Sequence, residues 1–413
     1  MTSLSKKNPG LAYASFVVGL CALFLFYKYV LQIFPSIITD ELMQTFKLTG
    51  TGLGNLAATF YYAYMITQLF VGILMDKFSS RLLTSLAIGC CALGALIFSQ
   101  MYSEFYAGVA RALMGMGVAF ATVSYLKLAA MWFPARYYSF VSGLLATAVM
   151  LGAVFGQTPL SLLTDWLGWR DCLLLVGVFG LALAFIFALA VRDSQPESAV
   201  QTPLNFSDIM TVLKNKQNWL LTLYSGFAFS PLAVFGGLWG NPFLQQAYLI
   251  DKTQASSLMS LVFIGLGIGS PLSGLLAQRL NARRKVMFAG LLLSLITITM
   301  VIYYPSSSLL VAGSQLFLFG LGTGAFMLVF TIGKETNKLC LTATVIAMIN
   351  TSDAFLDALT EPLIGRLLDL SGAQMVDGVT RFTLTGFHTA LAILPLYLLL
   401  GLVFLGLVQE RAS

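Results

Sequence analysis

Long apolar runs recur along almost the whole chain, separated by short polar intervals. The hydrocarbon core of a bilayer is about 30 Å thick and takes about 20 apolar helical residues to cross. Runs of that order predict helices over residues 11–34, 49–75, 82–101, 104–132, 138–160, 170–191, 218–240, 254–277, 286–303, 308–332, 341–369 and 387–407. The longest polar interval, Arg192 to Asn218, contains Asp193, Glu197, Lys214 and Lys216. It divides the chain into a six-helix bundle over 1–191, a linker over 192–217 and a second six-helix bundle over 218–413. The expected fold class is therefore an all-α membrane protein of twelve spans.

Composition agrees with this pattern. Of 413 residues, 58% are hydrophobic and 10% charged, against about 25% charged in soluble proteins. Mean hydropathy is +0.85. An even number of spans puts both termini on one side, and the basic residues choose the side. Lys6, Lys7, Lys77, Arg81, Arg136, Arg192, Lys214, Lys216, Arg279, Arg283, Arg284, Lys285, Lys334, Lys338 and Arg411 fall on the side of the termini; Lys47, Arg170, Lys252 and Arg381 fall opposite. Positive charge is retained in the cytoplasm, so both termini are expected there, in a multi-pass protein of a bacterial inner membrane. Because the net charge of +6 is spread over short loops, nucleic acid is not an expected partner. Cys21, Cys90, Cys91, Cys172 and Cys340 lie in or beside apolar runs without metal or disulfide spacing, and read as small apolar fillers. The first run reads as a span rather than a cleaved signal.

The two halves repeat. Gly72-Ile-Leu-Met-Asp76-Lys77 with Arg81 follows the second span, and Gly274-Leu-Leu-Ala-Gln278-Arg279 with Arg283 follows the eighth, an offset of 202. Gly115-Met-Gly117 answers Gly320-Leu-Gly322 at 205, and Thr158-Pro159 answers Glu361-Pro362 at 203. Pseudo-symmetric halves with a site between them are a common basis of alternating access.

These residues carry a resemblance. G-x-x-x-D-K-x-x-x-R after the second span resembles the signature loop of the major facilitator superfamily, and Arg111-x-x-x-Gly115-x-Gly117-x-Ala119 resembles its fourth-helix motif. Trp132-Phe133-Pro134 with Arg136, Gly168-Trp169-Arg170 and Phe235-Gly236-Gly237-Leu238-Trp239-Gly240 resemble the organic-anion and phagosomal-transporter-like uptake branches. Leu151-Gly152-Ala-Val-Phe-Gly156-Gln-Thr-Pro159 lacks the Gly-Pro pair of the gate motif typical of exporters. The resemblance implies a secondary transporter, not an enzyme, working as a monomer. It also implies a conformational latch at Gly72, Asp76, Lys77 and Arg81, with Arg279 and Arg283 in the second copy.

Charges within spans are costly and mark function by default. The acids Asp353, Asp357 and Glu361 fall at i, i+4 and i+8, on one face of a helix. Like charges one turn apart, and burial, each favour the uncharged acid, which is the physical requirement for proton coupling. Asp353 lies nearest the midplane. Glu361, beside Pro362, lies near the outer boundary and is either solvated or functional. The cations are Lys28, Arg111 and Lys127. Lys28 either snorkels outward or pairs with Asp357 or a substrate carboxylate. Arg111 either structures the fourth helix or binds substrate, and Lys127 snorkels to the headgroups.

Aromatic and amide groups complete the candidate binding wall: Tyr27, Tyr61, Tyr64, Tyr224, Trp239 and Asn241. Each has a packing alternative. Pro231 can break the seventh helix. The runs Gly265-x-Gly267-x-Gly269 and Gly320-x-Gly322-x-Gly324 read as close helix contacts, not nucleotide loops. His388 is the one histidine, so no metal is expected, and no cofactor. Opposed cations and acids suit an amino acid, a short peptide or an organic carboxylate, moved inward with protons. Two alternatives stand beside this: an exporter of amphipathic drugs or a siderophore, and a non-transporting membrane receptor.

Overall fold

The computed structural model describes residues 11–192, 206–306, 308–338, 341–376 and 379–409. The first half of the chain runs through α1 (Leu11–Ile33), a 3-10 turn (Phe34–Ile37), α2 (Thr39–Phe46), α3 (Gly50–Lys77), α4 (Ser80–Gln100), α5 (Glu104–Val118), α6 (Ala121–Trp132), α7 (Ala135–Phe155), α8 (Thr158–Leu167) and α9 (Trp169–Ala190). The second half runs through α10 (Phe206–Lys214), α11 (Lys216–Val234), a π-helical segment (Phe235–Trp239), α12 (Gly240–Tyr248), α13 (Lys252–Leu280), α14 (Arg283–Tyr303), α15 (Leu309–Thr323), α16 (Leu328–Glu335), α17 (Thr342–Ser371), α18 (Leu384–Leu391) and α19 (Ile393–Leu407). An antiparallel hairpin of β1 (Ala373–Val376) and β2 (Val379–Phe382) lies between α17 and α18.

Among the described residues, eleven helical stretches are long and apolar enough to cross a membrane. The thirty-residue α17, about 45 Å long at 1.5 Å per residue, is too charged to join them: it carries Asp353, Asp357, Glu361, Arg366 and Asp369. Several spans are broken. The seventh continues past the expected residue 240 to Tyr248 through the π-segment, and Pro231 precedes that break. The fifth breaks at Gly156 and Gln157, just before Thr158-Pro159. The first tightens into a 3-10 turn at Pro35. Proline removes a backbone donor and its ring crowds the preceding turn, so each break has a local cause.

The sequence repeat recurs as a repeat of contacts. A side chain at Gly115 would collide with the Phe60 carbonyl, and one at Gly320 with that of Val262, 202 residues on. Gly117 faces Ala87 and Cys91; Gly322 faces Gly290 and Ser294, each 203 residues on. The two glycine pairs therefore let equivalent helices cross at backbone distance in both halves.

Candidate functional site

Loops near residues 41, 101, 168, 251, 304 and 372 gather at one pole, as their contacts show. Arg170 donates to the carbonyls of Ser99 and Met101, the latter at 2.9 Å, Lys252 reaches Glu41, and Tyr303 donates to the His388 carbonyl. The opposite pole joins Tyr13 to Ala190 and Arg192, Gln217 to Gln409 and Arg283 to Glu335.

Ties between the first nine helices and the later ones are dense at the first pole. Lys252 pairs with Glu41 at 3.0 Å and Asp165 at 2.7 Å. Asp369 accepts from the Gly50 amide at 2.7 Å, the Thr51 amide at 2.8 Å and the Thr51 hydroxyl at 2.6 Å. Deeper, Gln157 donates to the Gly236 carbonyl at 2.9 Å, while Asn241 donates to Gln157 at 2.9 Å and Ser36 at 3.1 Å. The helix breaks of the first, fifth and seventh spans thus meet in one buried polar knot. Breaking a helix frees backbone groups that must be satisfied internally, and here a side-chain amide satisfies one.

Beneath this knot lie the three acids of α17, at the packed surface between α3, α11 and α17. All are buried: Asp353 is 8% exposed, Asp357 3% and Glu361 1%. Asp353 accepts from Ser225 at 2.8 Å. Asp357 Oδ1 and Glu361 Oε2 have no hydrogen-bond partner among the described residues. Ser230 of α11 faces Asp357 as Ser225 faces Asp353, and burial places Glu361 in the interior rather than at a solvated boundary. The first half supplies the facing groups. Arg111 lies within electrostatic reach of Glu361 and Tyr61, Tyr61 of Glu361 and Asp357, Tyr29 of Asp357 and Asp353, and Tyr64 of Asp353.

Arg111 donates to the Leu31 carbonyl at 2.9 Å and sits 4.6 Å over the Phe60 ring, leaving Nε buried and unpartnered. It is both a structural tie to α1 and a cation with spare hydrogen-bonding capacity. Lys28, 7% exposed, neither snorkels nor pairs with Asp357. Its ammonium lies 4.8 Å from the Tyr64 ring and 5.2 Å from that of Tyr29, a cation–π arrangement strengthened by desolvation. Lys127 turns to the Met75 carbonyl rather than the headgroups, where the end of α3 presents unsatisfied carbonyls.

Other expected residues are dispersed. Tyr27 points into the first bundle, where its hydroxyl fills the space beside Gly180 and Ala92, which removes it from the wall facing the acids. Tyr224 is buried on α11. Trp239 donates to the Glu361 carbonyl at 3.1 Å and packs on Phe382, so it fixes the acid-bearing turn. Asn241 belongs to the polar knot. At the second pole Gly72 has open space where a side chain would begin, Lys77, Arg81 and Arg279 are exposed, and Arg283 pairs with Glu335 on α16. The side chain of Asp76 lies outside the described residues. Sequence reasoning missed Gln32, Ser36, Gln157 and Asp369. Gln157 and Asp369 are polar residues near helix breaks or ends, and that position was their one available signal.

The comparisons with known proteins agree with this architecture. The probable galactarate/D-glucarate transporter of Bacillus subtilis strain 168 is 25% identical over 406 residues, covering 89% of this chain and 87% of that protein. The probable L-galactonate transporter of Escherichia coli strain K12 is 23% identical over 255 residues, 58% of this chain and 56% of that protein. Among solved structures, a bacterial homologue of the human lysosomal transporter Spinster, in an inward-facing and occupied conformation, superposes with a TM-score of 0.82 over 98% of both chains at 14% identity, and so shares the fold. The family model of the Major Facilitator Superfamily matches residues 16–240 and 232–332. With that match spanning most of the chain, this membrane protein is not an enzyme but belongs to the Major Facilitator Superfamily.

Proposed function

We propose that the chain is a secondary transporter that carries a small organic carboxylate across a bacterial inner membrane by alternating access, coupled to protons. One observation carries the reading: Arg111 and Lys28 from the first half and Asp357 and Glu361 from the second are all buried, Arg111 lies within electrostatic reach of Glu361, and Arg111 Nε, Asp357 Oδ1 and Glu361 Oε2 lack partners among the described residues. Unpartnered buried charge is expensive and is retained where a ligand or proton completes it. The organic acids named for the two relatives support a carboxylate in preference to a peptide. The reading takes α17 as the eleventh of twelve spans, residues 1–191 and 218–413 as the rocking bundles, both termini in the cytoplasm, and one chain as the working unit.

In this scheme the first pole is the outer one, and its ties close the path to the outside. A substrate carboxylate arriving from outside meets Arg111. Protonation of Asp357 or Glu361 removes a buried negative charge that would oppose it, and the outer ties then re-form. Release to the cytoplasm follows loss of the proton. The latch residues Gly72, Asp76, Lys77 and Arg81 act at the inner pole, in the state opposite to the one described.

The test is uptake of labelled galactonate and galactarate into proteoliposomes. An inward proton gradient should raise uptake several-fold, Asp357→Asn and Glu361→Gln should lose that stimulation, and both should retain counterflow, which needs no net proton movement. Uptake indifferent to the gradient would remove protons from the scheme; no flux of either acid by the wild type would remove the carboxylate.

A further inference from the structure

The π-segment contains two adjacent glycines, and a third follows it, but their surroundings differ. A side chain at Gly236 would come 2.7 Å from the Phe263 ring, and one at Gly240 2.9 Å from the Met259 sulfur. Close packing accounts for both. A side chain at Gly237 would meet two atoms within 4 Å, the Tyr61 hydroxyl at 3.4 Å and Glu361 Oε1 at 3.9 Å. Those atoms come from α3 and α17, so three elements converge on a bare Cα, and the surface they present to one another is polar. Packing does not require glycine there.

The hydrogen-bonding state of that niche is specific. Tyr61 accepts from Gln32 Nε2 at 3.3 Å, which leaves its own O–H free to donate. Glu361 turns Oε1 to the niche, while its other carboxylate oxygen, Oε2, is buried without a partner among the described residues, in a residue 1% exposed. Trp239 holds the Glu361 backbone from the same π-segment. Wide π-turns often accompany functional sites because they displace backbone from its regular track. The niche therefore offers one donor and one acceptor against a wall of main chain, beside the unpartnered Nε of Arg111.

We infer that Gly237, Tyr61 and Glu361 form a hydroxyl-reading subsite, so that the substrate is a hydroxylated carboxylate whose acid group faces Arg111. An alcohol both donates and accepts, and satisfies the pair. An ammonium satisfies the acceptor and leaves Tyr61 unused. A hydrocarbon leaves both groups unpaired, and a site built to bond a hydroxyl discriminates strongly against analogues that lack it. This rests on the organic-carboxylate reading and narrows it.

Thermal stabilisation of the purified full-length protein by galactonate, hexanoate and norleucine tests it, since a ligand of the folded state raises the melting temperature by mass action. Wild type should bind galactonate ahead of the other two. Gly237→Ala fills the niche, and Tyr61→Phe removes the donor while keeping the ring. Each should weaken galactonate by about tenfold or more, the size of one lost hydrogen bond, with hexanoate changed less than about twofold. Should the alanine variant fail to fold, the phenylalanine variant decides alone. Galactonate bound equally by wild type and the folded variants, or wild type preferring hexanoate or norleucine, overturns the subsite. A wild type that binds none of the three overturns the carboxylate reading, and the subsite with it.

Discussion

Replacing Asp369 with alanine should open the first pole. Its carboxylate, partly buried near the end of α17, accepts two backbone amides and one hydroxyl from the start of α3, residues more than 300 positions away in sequence. The first amides of a helix have no partner inside the helix, and the helix dipole favours a negative group at that end. Thr49 satisfies Gly52 locally; Asp369 satisfies Gly50 and Thr51 from the other half. Hydrogen bonds to a charged group contribute about 1.5–3 kcal/mol when buried, and a helix cap about 1 kcal/mol. With partial solvent exposure at this site and water able to replace the lost acceptor, about 2 kcal/mol is the reasonable net loss. If the contact exists only with the pole closed, the whole loss moves the conformational equilibrium, by about thirtyfold; a 99:1 closed population would fall to about 3:1. Spin labels at Trp166 and Leu249, both highly exposed at this pole on opposite sides of the Lys252–Asp165 pair, would report the separation by pulsed dipolar spectroscopy. Asp369→Ala should add a longer-distance population. A folded variant whose distances match the wild type would refute the assignment of Asp369 as a state-dependent cap.

Lys252→Ala should have the same direction with a smaller effect, under about 1 kcal/mol, because its partners are 34% and 46% exposed and exposed pairs are weak; high salt should reproduce it in the wild type within the same spectroscopic assay. Gly115→Ala and Gly320→Ala should lower thermal stability by several kcal/mol or abolish monodisperse protein, since each methyl meets a backbone carbonyl that cannot retreat, whereas Gly72→Ala and Gly274→Ala, with nothing within 4 Å, should melt within a few degrees of the wild type. Arg111→Lys should weaken carboxylate binding by about tenfold or more in the thermal assay, because an ammonium cannot bond the Leu31 carbonyl and still present a second donor in the same fork.

Much of the site is legible in the sequence. The i, i+4, i+8 spacing places Asp353, Asp357 and Glu361 on one face, and helical geometry permits no other result. Arg111 stands out because a guanidinium within an apolar run has few favourable environments. Which acid oxygens lack partners is not legible: Ser225 reaches Asp353 and Ser230 faces Asp357, both from α11 and more than a hundred residues away, and nothing near Asp357 in sequence indicates that its Oδ1 is left without a donor. The surroundings of Lys28 are hidden for the same reason. Its neighbours in the chain suggest a wet or acid-paired end, but the Tyr64 ring that receives it comes from α3.

Sequence alone determined the membrane character, most of the spans and the repeat, because these follow from the length of apolar segments and from periodicity along one chain. Residues 202 to 205 apart that make equivalent contacts could be matched by counting. Only the tertiary structure decided which pole is tied, that helix breaks at Pro35, Gly156–Gln157 and the π-segment meet in one polar knot, and that Gly237 faces oxygen atoms while Gly236 faces a ring. Those outcomes depend on which surfaces of distant helices come into register, and a broken helix end can be satisfied by any donor that folding brings within about 3 Å.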